Sequence, residues 1–481
     1  MTTITETTEV PLVVDLDGTL IRTDLLLESA LLLIRTNPLY VFVLPFWLLS
    51  GGKAYLKKEI ARRVDLDVSV LPYDRDVLAH ITKEKDTRPL VLATASNIKY
   101  ARAIQEELQI FDTVLASDDT NLAGDRKAGK LVDEYGENGF DYIGNSPSDL
   151  PVWEKSRSML AVDLTSSLRR KAEKPDKSFS KIFSRKSISL KPFIKSLRIH
   201  QWAKNLLVFI PTLASPDTLT WHSVFLACVV FISFCLCASS VYLLNDMLDL
   251  EHDRHHHRKR KRPFAAGKLS LWTGLITAPL LLAAAFTIAF SLSLSFVAVL
   301  LIYYALTCTY SFSLKEIVLL DIFALSVLYT LRILAGTTVV ANPPSFWLFI
   351  FSVCIFLSLA LVKRYSELGK IMADNPDELL RGRGYKPSDM NVLMAMGVAS
   401  GFSSCLVLAL YIATDSVQVR YSNPDFLWGS CFCLLFWISR IWFLTNRRVV
   451  VEDPIMFALR DWKGFITIIA ALAFGVAATL W

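Results

Sequence analysis

The chain has 481 residues, 53% of them hydrophobic, with a mean hydropathy of +0.41 and a formal net charge of +6. This is too apolar for an ordinary soluble protein and long enough for two or three domains. So small and localised a positive excess excludes nucleic acid as the expected partner, whereas anionic lipid and phosphate fit it. All eight cysteines lie in or beside apolar stretches without metal-ligand spacing, so they read as small hydrophobes and exclude a disulfide framework.

The first ten residues, MTTITETTEV, have no basic start and no apolar core. They predict no signal peptide and a front domain that stays in the cytoplasm. Val10 to Val14 reads as a short buried strand delivering Asp15-Leu16-Asp17-Gly18-Thr19-Leu20. Two carboxylates two residues apart, followed by a Gly-Thr turn, suit phosphoryl transfer: one attacks phosphorus while the other protonates the leaving oxygen. The stretch resembles motif one of the haloacid dehalogenase superfamily, D-x-D-G-T-L, and later segments match in order. The resemblance implies that Thr94, after the apolar run Pro89 to Ala93, bonds the transferring phosphoryl group. It implies that Lys127 offsets charge on the phosphoaspartate, and that Asp15, Asp17, Asn145 and Asp149 hold Mg²⁺. The family usually has Gly-Asp where this chain has Gly144-Asn145, which weakens attraction to the metal. Strands alternating with helical stretches predict a doubly wound α/β domain over 1–163.

Leu25 to Leu49 is strongly apolar, yet Asn37-Pro38 divides it into pieces too short to span a bilayer. It stands where the superfamily inserts a helical cap, so a cap is expected over about 25–65, with a greasy face on the membrane or on the second domain. Residues 164–196 carry ten Lys/Arg and are expected to be a basic juxtamembrane linker.

Residues 197–481 predict an all-α membrane domain of about nine spans, near 203–216, 223–243, 273–291, 293–311, 317–339, 345–362, 391–413, 426–445 and 464–480. Basic residues cluster after the even-numbered spans, so the positive-inside rule sets one topology, in the inner (cytoplasmic) membrane. Where the second span ends, Asn245, Asp246, Asp249 and Asp253 follow without Gly or Pro, and Arg262 ends a basic run. At helical spacing the three aspartates share one face within roughly 10 Å of rise. Stacked carboxylates repel unless a cation sits between them, and Mg²⁺ bridging to a phosphorylated substrate is the natural candidate. The bases that follow supply donors for phosphate.

These residues resemble the first motif, N-D-x-x-D-x-x-x-D, of the UbiA superfamily of intramembrane prenyltransferases. Other stretches resemble its polyprenyl-phosphate phosphoribosyltransferase branch (the decaprenyl-phosphate enzymes): Arg198 to Asn205, with Lys204 as a phosphate donor; Tyr310 to Lys315; Lys363-Arg364-Tyr365-Ser366-Glu367-Leu368; and Ala458-Leu459-Arg460-Asp461. In this resemblance Lys363, Arg364 and Arg460 grip phosphate, and Glu367 orients a base or ribose; pairing among Arg364, Glu367, Arg460 and Asp461 is the alternative. A second acidic motif, D-x-x-x-D, is reduced to Asp321, with Leu325 in the other acid's place. Asp321 is expected to hold a sugar hydroxyl or help the metal, or to pair with Arg332. The resemblance implies Mg²⁺-dependent transfer of 5-phosphoribosyl from phosphoribosyl pyrophosphate to a polyprenyl phosphate, followed by removal of the 5-phosphate by the front domain. The rival reading joins a prenyl diphosphate to an aromatic acceptor, with a non-catalytic front domain.

Overall fold

The structure is a computed structural model. It describes residues 10–175, 177–185, 189–213, 219–339, 345–374, 384–450, 454, 457 and 461–480. Two compact units emerge, Met1–Leu197 with Tyr242–Thr277, and Arg198–Val241 with Ala278–Trp481. The aspartate motif falls in the first of these units, with Tyr242–Thr277.

The first unit is built on six parallel strands in the order β3-β2-β1-β4-β5-β6: β1 Leu12–Val14, β2 Leu90–Asn97, β3 Thr113–Ser117, β4 Asp141–Gly144, β5 Ser158–Val162 and β6 Phe179–Phe183. The central strands read as unbroken apolar runs because helices cover both faces. Leu12 and Val14 face one core with Leu90, Leu92 and Ile143, while Val13 faces another with Val91, Tyr142 and Trp153. The strand order reverses between β1 and β4, and ligands of such sheets bind outside the carboxyl ends of the strands at that point. Asp15 lies there, its N–H bonded to the Ile143 carbonyl at 3.0 Å.

The expected linker is partly domain. β6 lies inside 164–196 and extends the sheet, and Leu168 and Phe183 are buried in its cores. Phe179 packs edge-on to Trp153 at 5.1 Å. Arg185 is spent internally, on Asp74 at 3.0 Å and the Gly18 carbonyl at 2.9 Å, so not every base of this stretch is available to headgroups.

The stretch expected to form a cap folds as two helices, Leu25–Thr36 and Tyr40–Ala61. Asp24 caps the first by accepting from the Leu27 N–H, and the chain turns at Asn37-Pro38 as expected. The second bends at Gly52, whose φ of 70° only glycine adopts cheaply. Phe42, Phe46 and Leu49 stand exposed on it.

Eight helices among the described residues are long and apolar enough to cross a membrane, from Trp221–Leu248 to Trp462–Thr479. The ninth expected span, 203–216, is different: Ile199–Phe209 is a 3₁₀ stretch and Ile210–Leu213 a short helix, with residues 214–218 outside the described set. Gly336 explains the packing, since a Cβ there would stand 2.0 Å from the Val208 carbonyl oxygen. Within the second unit, small polar residues tie helices together. Ser326 donates to the Val353 carbonyl at 2.9 Å, and Ser358 donates to the Gly397 carbonyl at 2.7 Å while accepting from Trp442.

Candidate active sites

The β1 loop and the ends of β2 and β4 bring one set of expected residues together. Lys127 Nζ donates to Asp15 Oδ1 at 2.7 Å and to the Tyr142 hydroxyl at 3.0 Å, and stands 3.8 Å from Asp149. Thr19 donates to the other Asp15 oxygen. Asp17 accepts from Ser96 Oγ at 2.5 Å and from the Leu25 N–H at 2.8 Å, so the cap's first helix begins on the carboxylate next to the nucleophile position. Thr94 is fully buried and accepts from the Ser96 N–H. Asp149 accepts from Tyr142 at 2.6 Å, from the Asn145 and Ser146 N–H groups, and from Ser146 Oγ.

Burial pushes Asp15 up to about 6, against the pull of Lys127, and pushes Asp17 up to about 7. Burial opposes the charge on Lys127, but Asp15 and Asp149 overcome it and hold its ammonium above the usual range. Burial thus holds both carboxyls above the usual carboxylate range, with the Lys127 ammonium opposing the shift at Asp15. Asn145 Oδ1 is buried without a hydrogen-bond partner among the described residues. An orphaned buried oxygen on a residue whose own N–H bonds Asp149 is what a divalent cation would satisfy, so the residues present fit a metal. Gly18 has φ +75°, and a Cβ there would meet Asn145 Nδ2 at 2.2 Å, so the loop closes onto this amide only with glycine.

The aspartate motif is not one continuous helix. Trp221–Leu248 ends, Asp249 turns with φ −98° and ψ 18°, and Leu250–His255 follows. Asp246 and Asp253 are buried and share Arg262, whose Nη1 is 3.2 Å from Asp246 and 2.5 Å from Asp253. Asn245 is half-buried one residue ahead of Asp246. Burial raises Asp253 to about 6, with Arg262 opposing the shift. Asp253 Oδ1 is buried without a partner among the described residues, a second orphaned oxygen that fits a divalent metal.

The second unit gathers another part of the expected set. Arg364 is fully buried and donates to Asp321, to Glu367 and, at 3.3 Å, to the Tyr310 hydroxyl. Tyr385 donates to the second Asp321 oxygen and accepts from the Leu319 N–H at 2.9 Å. Asp321 thus pairs with Arg364, not with Arg332. Arg332 instead donates to Asn205 at 2.9 Å and to Tyr303 at 3.2 Å. Lys204 Nζ lies 5.9 Å from the Tyr329 ring centroid, and Lys315 and Lys363 are half-buried. Asp461 pairs with Arg440 at 2.9 Å; Arg460 lies outside the described residues.

The signature of the UbiA prenyltransferase family matches residues 207–469. The chain belongs to this family. Among its relatives, an uncharacterized protein, y4nM, of Sinorhizobium fredii is 35% identical over 474 residues, covering 98% of this chain and 91% of its own length. Nodulation protein NoeC of Azorhizobium caulinodans is 34% identical over 287 residues, covering 59% of this chain and 92% of its own. A decaprenyl-phosphate phosphoribosyltransferase of Mycolicibacterium smegmatis is 38% identical over 179 residues, covering 36% of this chain and 56% of its own. This UbiA-family chain thus joins an α/β domain built on a parallel sheet to a helical membrane part, and is an integral membrane protein.

Several residues of these sites escaped sequence reasoning. Lys57, from the second cap helix, donates to the Ala95 carbonyl at 2.6 Å and to Asn121 at 2.8 Å. It lines a small cavity with Leu25, Ser96 and Tyr100, and burial lowers its pKa. Tyr142 lies in the motif-four strand, and its hydroxyl was the available signal. Tyr385 follows the basic stretch Arg381-Gly382-Arg383-Gly384 in the sequence, and nothing in that pattern marked it.

Proposed function

We propose that this UbiA-family chain transfers a 5-phosphoribosyl group from phosphoribosyl pyrophosphate to a polyprenyl phosphate, at the cytoplasmic face of the inner membrane, and that its front domain then removes the 5-phosphate. The observation that carries the transferase half is the state of the two acidic positions. The first motif keeps three aspartates and an orphaned Asp253 oxygen; at the second position Asp321 is held by Arg364 and Tyr385. One acidic motif fitted to a metal, with the second acidic position closed by an arginine, suits one diphosphate leaving group better than the paired acidic motifs of prenyl diphosphate chemistry. The partial likeness to the Mycolicibacterium phosphoribosyltransferase supports the same reading.

In the transfer a lipid phosphate oxygen forms a bond to C1 of the ribose. The C1–O bond to pyrophosphate breaks, and pyrophosphate departs with the electron pair. The nucleophile is already anionic, so no strong base is required, and the barrier lies in the developing negative charge. Mg²⁺ held by Asp246, Asp249 and Asp253 would supply charge neutralisation on the pyrophosphate. Asn245 and Arg262 orient it; by the family resemblance, Lys204, Lys315 and Lys363 are the residues proposed to bind phosphate in the second unit. Tyr310 and Glu367 hold Arg364 in place against Asp321.

In the hydrolysis Asp15 Oδ forms a bond to phosphorus, the P–O bond to the ribose 5-oxygen breaks, and Asp17 gives its proton to that oxygen. Water, deprotonated by Asp17, then releases phosphate from Asp15. Lys127 and Thr94 stabilise the phosphoryl oxygens. Mg²⁺ at Asp15, Asn145 and Asp149, near Asp17, would offset the charge between carboxylate and phosphate. Tethering the two activities keeps the intermediate at high local concentration. Radiolabelled phosphoribosyl pyrophosphate supplied with polyprenyl phosphate tests the transferase half: label entering lipid supports it, and label excluded from lipid while a prenyl diphosphate is consumed supports the rival.

A further inference from the structure

We propose that Arg35, carried by the first cap helix of the front domain, is a diphosphate-binding residue of the transferase site. This rests on the reading of the aspartate motif as a Mg²⁺–diphosphate site.

Arg35 lies in the last turn of Leu25–Thr36. Its Nη1 is 3.0 Å from Asp249 Oδ1 and 3.5 Å from the Leu248 carbonyl oxygen, at the bend where the long helix gives way to Leu250–His255. The motif is unevenly accessible: the Asp249 side chain is 24% exposed, against 2% for Asp246 and 1% for Asp253. Arg35 therefore meets the most exposed of the three carboxylates. Two guanidinium groups bracket the three carboxylates, Arg262 on the buried pair and Arg35 on the open one.

The fork of Arg35 is mostly unspent. Among the described residues, Nε and Nη2 make no hydrogen bond, and the side chain is 29% exposed. A planar pair of donors beside a metal-binding carboxylate matches the geometry of a phosphate that the same metal holds, and arginine binds such a phosphate with two parallel hydrogen bonds. The helix beneath it is fixed by a buried pair between Glu28 and Arg254, so the guanidinium is positioned before substrate arrives. The cap of one catalytic domain thereby supplies a ligand to the substrate of the other.

The test uses the purified full-length protein, titrated with inorganic pyrophosphate in the presence of Mg²⁺ by calorimetry, and with Mn²⁺ alone by electron paramagnetic resonance. The part of each signal that Asp246→Asn abolishes reports the aspartate motif; the rest belongs to the front-domain site. Arg35→Ala is expected to weaken pyrophosphate binding at the motif about tenfold or more, the loss for a charge-assisted pair of hydrogen bonds. Mn²⁺ alone should bind at least as tightly, because a competing cation has gone from Asp249. Arg35→Lys should recover only part of the loss, since lysine lacks the fork. Unchanged pyrophosphate affinity in Arg35→Ala overturns the proposal and leaves the donor reading intact. Parallel loss of Mn²⁺ and pyrophosphate also overturns it, because that is what a merely structural role would give. A wild-type protein in which Asp246→Asn removes no pyrophosphate binding overturns the donor reading itself, and this proposal with it.

Discussion

Arg254 and Glu28 form a buried ion pair with two parallel hydrogen bonds, Nη1 to Oε2 at 2.8 Å and Nη2 to Oε1 at 2.5 Å. Arg254 Nε also donates to the Ala265 carbonyl at 3.0 Å. One partner follows the last aspartate of the first motif, and the other sits in Leu25–Thr36 of the α/β domain. Both side chains are about 95% buried, so removing either strands a charge. Arg254→Met or Glu28→Gln is expected to destabilise this unit by about 3–5 kcal/mol. The double variant should lose less than the sum of the two. Thermal unfolding of the four proteins in detergent measures the coupling, and strict additivity would contradict it.

The phosphatase half should have a narrow pH range. Asp15 must be ionised to attack, so activity rises as pH passes its value of about 6. Asp17 must hold its proton to release the leaving oxygen, so activity falls as pH passes its value of about 7. Bound metal would draw the Asp15 limb to lower pH. Hydrolysis of a small phosphate ester is therefore expected to follow a bell, and Asp17→Asn should abolish its alkaline limb together with most of the rate. A profile still rising above pH 8 would contradict the assignment of Asp17 as the acid.

Asn145 stands where a carboxylate is usual, with its Oδ1 unpartnered. Asn145→Asp should lower the Mg²⁺ concentration needed for half-maximal phosphatase activity, since a charge replaces a dipole at the metal. Asn145→Ala should raise it. Equal Mg²⁺ dependence in all three proteins would show that this side chain does not face the metal.

Arg364 and Asp321 are both fully buried in the second unit. If Arg364 holds the site together, Arg364→Met lowers the unfolding temperature as well as transferase activity, and adding Asp321→Asn recovers part of the stability. A residue that only gripped phosphate would leave the unfolding temperature alone and raise KM for the donor. Stability separates the two roles where activity does not.

Much of this was legible in the chain. The alternation of apolar strands and helices gave the parallel sheet, and Asp15, Thr94, Lys127 and Asp149 fell in order along it. Among the described residues, eight apolar runs became helices long and apolar enough to cross a membrane. What stayed hidden had physical causes. β6 is short and set in a basic, Ser-rich stretch, with Ser180 and Lys181 exposed, and only Phe179, Ile182 and Phe183 betray it. The 203–216 run is apolar enough for a span, yet its first part is wound as 3₁₀ helix against Gly336. Asp249 breaks the helix that the unbroken sequence predicted to be continuous. The pairs Arg254–Glu28, Arg35–Asp249 and Asp321–Tyr385 join residues far apart in the chain, and local pattern carries no trace of them.

The account's central claim is two reactions in series on one lipid. Purified protein would receive Mg²⁺, polyprenyl phosphate and phosphoribosyl pyrophosphate, and the lipids would be weighed by mass spectrometry for wild type and Asp15→Asn. The account predicts a ribosyl lipid from wild type and a phosphoribosyl lipid from the variant. Phosphoribosyl lipid from both proteins would contradict the phosphatase half, and lipid without ribose from both would contradict the whole.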